Sequence, residues 1–139
     1  MKLTEYDAQN INLMRDIVYQ NNVKQGWYKT PDQLLAVVAK HAPDLLETVR
    51  AYHESTQLAL IHSEVSEALE GRRKGLMDDH LPTRPMPEVE LADAFIRILD
   101  LCGSRGYDIG GAVVEKFMYN KNRADHKAEN RAKDGGKKF

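Results

Sequence analysis

The fold of this chain is decided by residues 43–73, PDLLETVRAYHESTQLALIHSEVSEALEGRR. Proline and aspartate open the stretch, as is typical of the first turn of a helix. Apolar residues then recur at three- and four-residue steps, which is the period of an amphipathic α-helix. About 29 helical residues span on the order of 43 Å. The stretch therefore predicts a long central helix whose apolar stripe faces a core, formed by Leu45, Val49, Tyr52, Thr56, Leu60, Val65 and Leu69.

Shorter helical patterns flank this helix on both sides. Thr30 and Pro31 suit the cap and first position of a helix, and Asp108 is a second candidate cap. No segment alternates polar and apolar residues over strand length, and no hairpin turn joins β-branched runs. We therefore predict an all-α bundle of four to five helices. The flanking helices are expected over residues 6–23, 32–41, 88–105 and 109–123, with a loop over 74–87.

The length and the charge of the chain limit its domain organisation and its binding partners. A chain of 139 residues with 42% hydrophobic residues is typical of one globular domain. The formal net charge of -1 gives no bulk attraction to nucleic acid or to anionic membranes. Residues 115–139 nevertheless hold 8 basic and 4 acidic side chains. We expect one domain over residues 1–125 and a basic, flexible tail over 126–139 that is drawn towards anionic ligands.

Cellular location follows from the absence of two signals in the sequence. The start, MKLTEYDAQN, lacks the pattern of a signal peptide, and no apolar run approaches the ~20 residues that cross a bilayer. Cys102 is the only cysteine, so an internal disulfide is excluded, and its apolar helix predicts a buried, unreactive thiol. We expect a cytoplasmic protein.

Two pairs of acidic residues stand out within apolar segments. Glu64 and Glu67 lie three apart in LIHSEVSEALEG, and Glu90 and Asp93 repeat that spacing in VELADAFIRILD. Residues three apart share one face of a helix. If the two helices pack antiparallel, four carboxylates converge, and such a cluster is unfavourable unless it is protonated or bound to cations. The alternative is that all four decorate solvated faces.

Carboxylate oxygens are hard ligands, so a converged cluster predicts Mg²⁺, with Mn²⁺ as the second choice. A di-iron centre of the ferritin type would need Glu-x-x-His on two helices, and the sequence contains no such pair. Arg97 and Asp100 lie three apart and are expected to form an ion pair with each other.

Candidate substrate-binding residues lie outside these pairs. Lys116, Asn120 and Arg123 follow each other at helical steps and suit phosphate oxygens, although a basic solvated face explains them equally well. Trp27 is a candidate for stacking on a nucleobase, or alternatively a core anchor or interface residue.

Three blocks of the sequence together resemble one family. LIHSEVSEALEGRRKG, ELADAFIRILDLCG and EKFMYNKNRADH resemble the corresponding blocks of the MazG-like, all-α nucleoside triphosphate pyrophosphohydrolases, in their short phage and bacterial forms. The resemblance covers about residues 21–139. The signature of that family is Glu-x-x-Glu, Glu-x-x-Asp and a Lys, Asn and Arg row. In this chain it corresponds to Glu64, Glu67, Glu90, Asp93, Lys116, Asn120 and Arg123.

The resemblance implies Mg²⁺-dependent cleavage of a (deoxy)nucleoside triphosphate to a monophosphate and pyrophosphate. It also implies a homodimer or homotetramer, and a helix of about 29 residues is longer than so small a globule covers alone. The competing hypothesis is a non-catalytic, dimeric binding module that holds another protein through its acidic cleft and basic tail. The base, the sugar and the physiological role stay open.

Overall fold

The computed structural model of the protein describes residues 2–124 and 127–134. Over these residues it contains one isolated bridge, between Met77 and Pro85, and no strand. The predicted all-α fold with a long central helix is therefore confirmed. The helices are α1 (Glu5–Lys24), α2 (Lys29–His41), α3 (Leu46–Lys74), α4 (Met86–Arg105), α5 (Ile109–Asn122) and α6 (Ala128–Arg131), and a 3-10 helix, Pro43–Leu45, precedes α3.

The chain divides into two compact units. One unit comprises residues 15–107 and contains α2, α3 and α4. The other comprises residues 1–14 and 108–139 and contains α5 and α6. The predicted boundary at residue 125 remains a prediction. Of the expected tail, His126 and residues 135–139 lie outside the described residues, and residues 128–131 form α6.

The helices α3 and α4 form an antiparallel hairpin within the unit of residues 15–107. Near the connecting loop, Met86 lies so close to α3 that a Cβ added to Gly71 would be 2.8 Å from its Cγ. At the other end, the Tyr107 hydroxyl donates a hydrogen bond of 3.1 Å to Glu54 Oε1. A late residue of one helix thus meets an early residue of the other, which is the arrangement that brings the two acidic pairs together.

The second helix begins three residues earlier than predicted. Its N-cap is Tyr28, whose side chain makes no capping hydrogen bond, so the expected cap at Thr30 is wrong. The turn before it is already wound, because the Lys29 amide donates to the Gly26 carbonyl. Pro31 falls at the third helical position, where its missing N–H leaves no helical hydrogen bond unmade.

The expected core stripe of the long helix is largely exposed. Leu45, Tyr52, Leu60, Val65 and Leu69 are 43% to 71% exposed on the single chain, so their assignment to a core is wrong. The buried residues of the two helices include the small Ala68 and Gly71 of α3 and Ala94 of α4, and such residues let two helices approach closely. The buried apolar residues of this unit are Tyr28, Ala68, Ala94, Leu99, Leu101 and Cys102.

Cys102 is a free, buried cysteine, as predicted. Burial raises the pKa of its thiol, and Arg15 opposes that rise. Among the described residues, every helix is too short or too polar to cross a membrane.

Candidate functional site

Three of the four predicted carboxylates lie together between α3 and α4. Glu64, Glu90 and Asp93 each offer a carboxylate oxygen, and these oxygens lie within 4.8 Å of one another. Glu64 is 6% exposed and Glu90 is 8% exposed, whereas Asp93 is exposed to solvent. We call these three residues the acidic triad. Its two buried members contradict the alternative in which all the acids decorate solvated faces.

The electrostatics of the acidic triad show that it carries excess negative charge. Burial, and after it a hydrogen bond with Glu64, raises the pKa of Glu90 from its ordinary value of 4.5 to about 6. The charges of Glu67, Glu64 and Asp93 act in the same direction. A carboxylate with such a raised pKa is held in an environment that favours proton or cation binding.

Glu67 lies on the same helix as Glu64 but outside the acidic triad. It is exposed, and its charge acts on Glu90. The prediction that Glu67 is a fourth metal ligand therefore remains a prediction.

Arg97 compensates part of this charge. Its Nε donates a hydrogen bond of 2.6 Å to Glu64 Oε1. The expected ion pair between Arg97 and Asp100 is wrong, because Asp100 instead accepts a hydrogen bond from Tyr28. Arg97 lies four residues after Asp93 and seven after Glu90, so all three share one helix face. This spacing is the feature of the sequence that indicates Arg97 as a partner of the acidic residues.

The residues of the acidic triad suit a divalent metal ion. Three ionised carboxylates and one guanidinium leave two negative charges, which a divalent cation balances. All the available donors are carboxylate oxygens, the ligands preferred by Mg²⁺, Mn²⁺ and Ca²⁺. The acidic triad is therefore compatible with binding a divalent metal ion.

A cavity of about 250 Å³ lies in the same unit. One of its lining residues is Arg97, which donates a hydrogen bond to Glu64 of the acidic triad. Trp27 contributes to its wall with an indole that is 74% exposed, so the core-anchor alternative for this residue is wrong. We call this cavity the Trp27 pocket. Its lining residues are Asn22, Trp27, Tyr28, His53, Gln57, Leu60, Ile96, Arg97 and Asp100.

A hydrogen-bonded group forms one side of the Trp27 pocket. The Tyr28 hydroxyl donates to Asp100 Oδ2 at 2.9 Å and accepts from Gln57 Nε2 at 3.5 Å. Burial raises the pKa of Tyr28 far above its ordinary value, and Asp100 adds to the effect. This tyrosine therefore stays protonated and keeps Asp100 in place. No local pattern in the sequence indicates that Tyr28 and Gln57 come together, because they lie on different elements.

The predicted phosphate-binding row lies in the unit of residues 1–14 and 108–139. Lys116 Nζ is 4.9 Å and Arg123 Cζ is 5.7 Å from the centroid of the Tyr119 ring, so one aromatic side chain brings the two cations together. Asn120 Oδ1 is buried and has no hydrogen-bond partner within the described part of the chain. Arg123 is the C-cap residue of α5. Phosphate binding by this row remains a prediction.

Comparison with known proteins adds no family assignment. No protein-family model, curated protein or solved structure matches the chain.

Proposed function

We propose that the protein is a Mg²⁺-dependent nucleoside triphosphate pyrophosphohydrolase, which cleaves a (deoxy)nucleoside triphosphate to a monophosphate and pyrophosphate. The observation that carries the proposal is the acidic triad, because two of its carboxylates are buried and the pKa of Glu90 is raised. The resemblance of the sequence to MazG-like proteins supports the same activity.

Each acidic residue has a role in this proposal. Glu64, Glu90 and Asp93 hold Mg²⁺, with Mn²⁺ as a substitute. A metal ion bound there supplies charge neutralisation for the triphosphate and lowers the pKa of a coordinated water. Glu67 is predicted as a fourth metal ligand, and where the metal leaves it unbound we propose that it accepts the proton of the attacking water.

The proposed substrate-binding residues belong to the Trp27 pocket and to the predicted phosphate-binding row. Trp27 offers an exposed aromatic face for stacking on the base. Arg97 lies at both the Trp27 pocket and the acidic triad, so a nucleotide whose base enters the pocket has a short path to the metal site. Lys116, Asn120 and Arg123 are proposed to bind phosphate oxygens.

Release of pyrophosphate tests the proposal. The protein is incubated with each common nucleoside and deoxynucleoside triphosphate in Mg²⁺, and in EDTA as a control. We expect pyrophosphate from at least one substrate, only with the metal, and its loss in Glu90→Gln and Asp93→Asn. The control Glu88→Gln changes an exposed carboxylate of the same helix and should keep full activity.

The competing binding-module hypothesis predicts a different result. If calorimetry detects binding of neither Mg²⁺ nor any nucleotide, the enzyme proposal is wrong and a non-catalytic interaction module is favoured.

A further inference from the structure

Two residues that line the Trp27 pocket each carry a buried oxygen atom with no hydrogen-bond partner among the described residues. The two atoms are Oε1 of Gln57 and Oδ1 of Asp100. A buried acceptor without a partner costs about 1–3 kcal/mol, and more when it is charged. Two such atoms beside one cavity indicate that the pocket is completed by a ligand that donates hydrogen bonds.

The hydrogen bonds of Tyr28 determine which oxygen of each side chain lacks a partner. Its single hydroxyl hydrogen is donated to Asp100 Oδ2, so the hydroxyl oxygen is an acceptor towards Gln57. The amide nitrogen of Gln57 therefore faces Tyr28, and its oxygen is left over. The terminal torsions of Asp100 and Gln57 are soft, so a ligand that donates hydrogen bonds needs only a change in these two torsions to reach the buried oxygens.

The size and walls of the pocket define the ligand further. A cavity of about 250 Å³ is smaller than the ~300–1,000 Å³ that is typical of sites for whole drug-sized ligands. Together with the exposed Trp27 face and the apolar Leu60 and Ile96, this size suits one planar ring system. Given the proposed function, on which this inference rests, that ring system is a nucleobase.

We propose that the Trp27 pocket selects nucleobases with an exocyclic amino group, with Asp100 and Gln57 as the hydrogen-bond acceptors. Cytosine and adenine carry two N–H bonds on the exocyclic amino group, and guanine adds a ring N–H beside its own, so each of these bases can donate to two acceptors. Uracil and thymine present one N–H between two carbonyl oxygens, so their oxygens are brought against the Asp100 carboxylate. Asp100 and Gln57 are specificity-determining residues in this proposal.

The test compares two ligands that differ at positions 3 and 4 of the base, where cytosine has a bare nitrogen and an amino group and uracil has an N–H and a carbonyl oxygen. The full-length protein is titrated with the α,β-methylene triphosphates of deoxycytidine and deoxyuridine in Mg²⁺. Trp27 is the only tryptophan, so its fluorescence reports stacking without any turnover. We expect the cytosine ligand to bind about 10- to 100-fold more tightly, which is the range for one hydrogen bond to a charged group.

Substitutions then identify the acceptors. Asp100→Asn replaces an acceptor with an N–H donor and should narrow or reverse the preference for cytosine, whereas Asp44→Asn, an exposed control, should leave it unchanged. Gln57→Leu removes the second acceptor and should narrow the preference even if Asp100→Asn does not fold. Circular dichroism checks the folding of each variant.

The outcomes separate this inference from the proposed function. Equal affinities for the two ligands, or a preference that survives in folded Asp100→Asn and Gln57→Leu, would overturn the amino-group selection even if pyrophosphate is released. A clear cytosine preference in a protein that releases no pyrophosphate would uphold the pocket and overturn the enzyme activity.

Discussion

Replacing Glu90 by glutamine measures the free-energy cost of holding its ionised carboxylate buried in the acidic triad. The pKa of Glu90 rises from 4.5 in the unfolded chain to about 6 in the folded protein. At about 1.4 kcal/mol per tenfold change in proton affinity, the ionised carboxylate destabilises the metal-free fold by about 2 kcal/mol. Glutamine keeps the shape of the protonated acid and removes this penalty, so the metal-free variant should be more stable than the wild type near neutral pH.

The effect has a definite pH dependence. Because the folded pKa lies above the unfolded value, the protonated carboxyl stabilises the fold below pH 4.5, and this contribution is lost as the pH rises through about 6. Glu90→Gln and wild type should therefore have similar stability near pH 4.5. They should differ by about 2 kcal/mol at pH 7.5, which corresponds to roughly 5–10 °C in melting temperature for a chain of this size.

Thermal unfolding followed by circular dichroism, in EDTA at both pH values, checks this prediction. Glu88→Gln serves as the control and should change stability by less than about 1 kcal/mol, because its partner Arg84 is a surface residue. Two results would refute the electrostatic account. One is a melting temperature of Glu90→Gln at or below that of the wild type at pH 7.5, and the other is the same difference in melting temperature at both pH values. Added Mg²⁺ should stabilise the wild type and leave Glu90→Gln unaffected.

Three further predictions concern the metal, the phosphates and the assembly. Arg97→Gln frees Glu64 from a competing cation, so calorimetry should show Mg²⁺ binding about fivefold more tightly. Weaker Mg²⁺ binding would show that Arg97 instead orients the Glu64 carboxylate for the metal. Arg123→Ala should weaken binding of a non-hydrolysable triphosphate by about 2–3 kcal/mol, whereas Lys121→Ala should not, and equal affinities would exclude the row from the site. Light scattering should return at least twice the monomer mass of 15.8 kDa, because exposed apolar residues such as Leu69 and Leu91 favour association, and a monomer at micromolar concentration would contradict this.

The sequence predicted those parts of the fold that depend on local signals. The bounds of α3, the cap at Asp108 and the grouping of Glu64 with Glu90 and Asp93 follow from periodicity, capping chemistry and spacing. These signals act over a few residues, so they can be recognised in the sequence without knowledge of the tertiary contacts.

Features set by contacts between elements were not predictable in the same way. Apolar spacing does not show which stripe of a long helix is covered, and Leu60 of α3 is exposed whereas Ala68 is buried. Likewise, Arg97 pairs with Glu64, 33 residues away, rather than with its neighbour Asp100. The Trp27 pocket combines residues from several elements, so only the exposed tryptophan was a candidate beforehand.

Phosphorus NMR of a hydrolysis reaction tests the central proposal most directly, because it identifies which phosphoric anhydride bond breaks. A deoxynucleoside triphosphate and Mg²⁺ are incubated with the wild-type protein, and with Glu90→Gln in parallel. The account predicts resonances of the monophosphate and of pyrophosphate with the wild type and an unchanged triphosphate with the variant. Appearance of a diphosphate with inorganic phosphate, or no turnover of any triphosphate by the wild type, would contradict it.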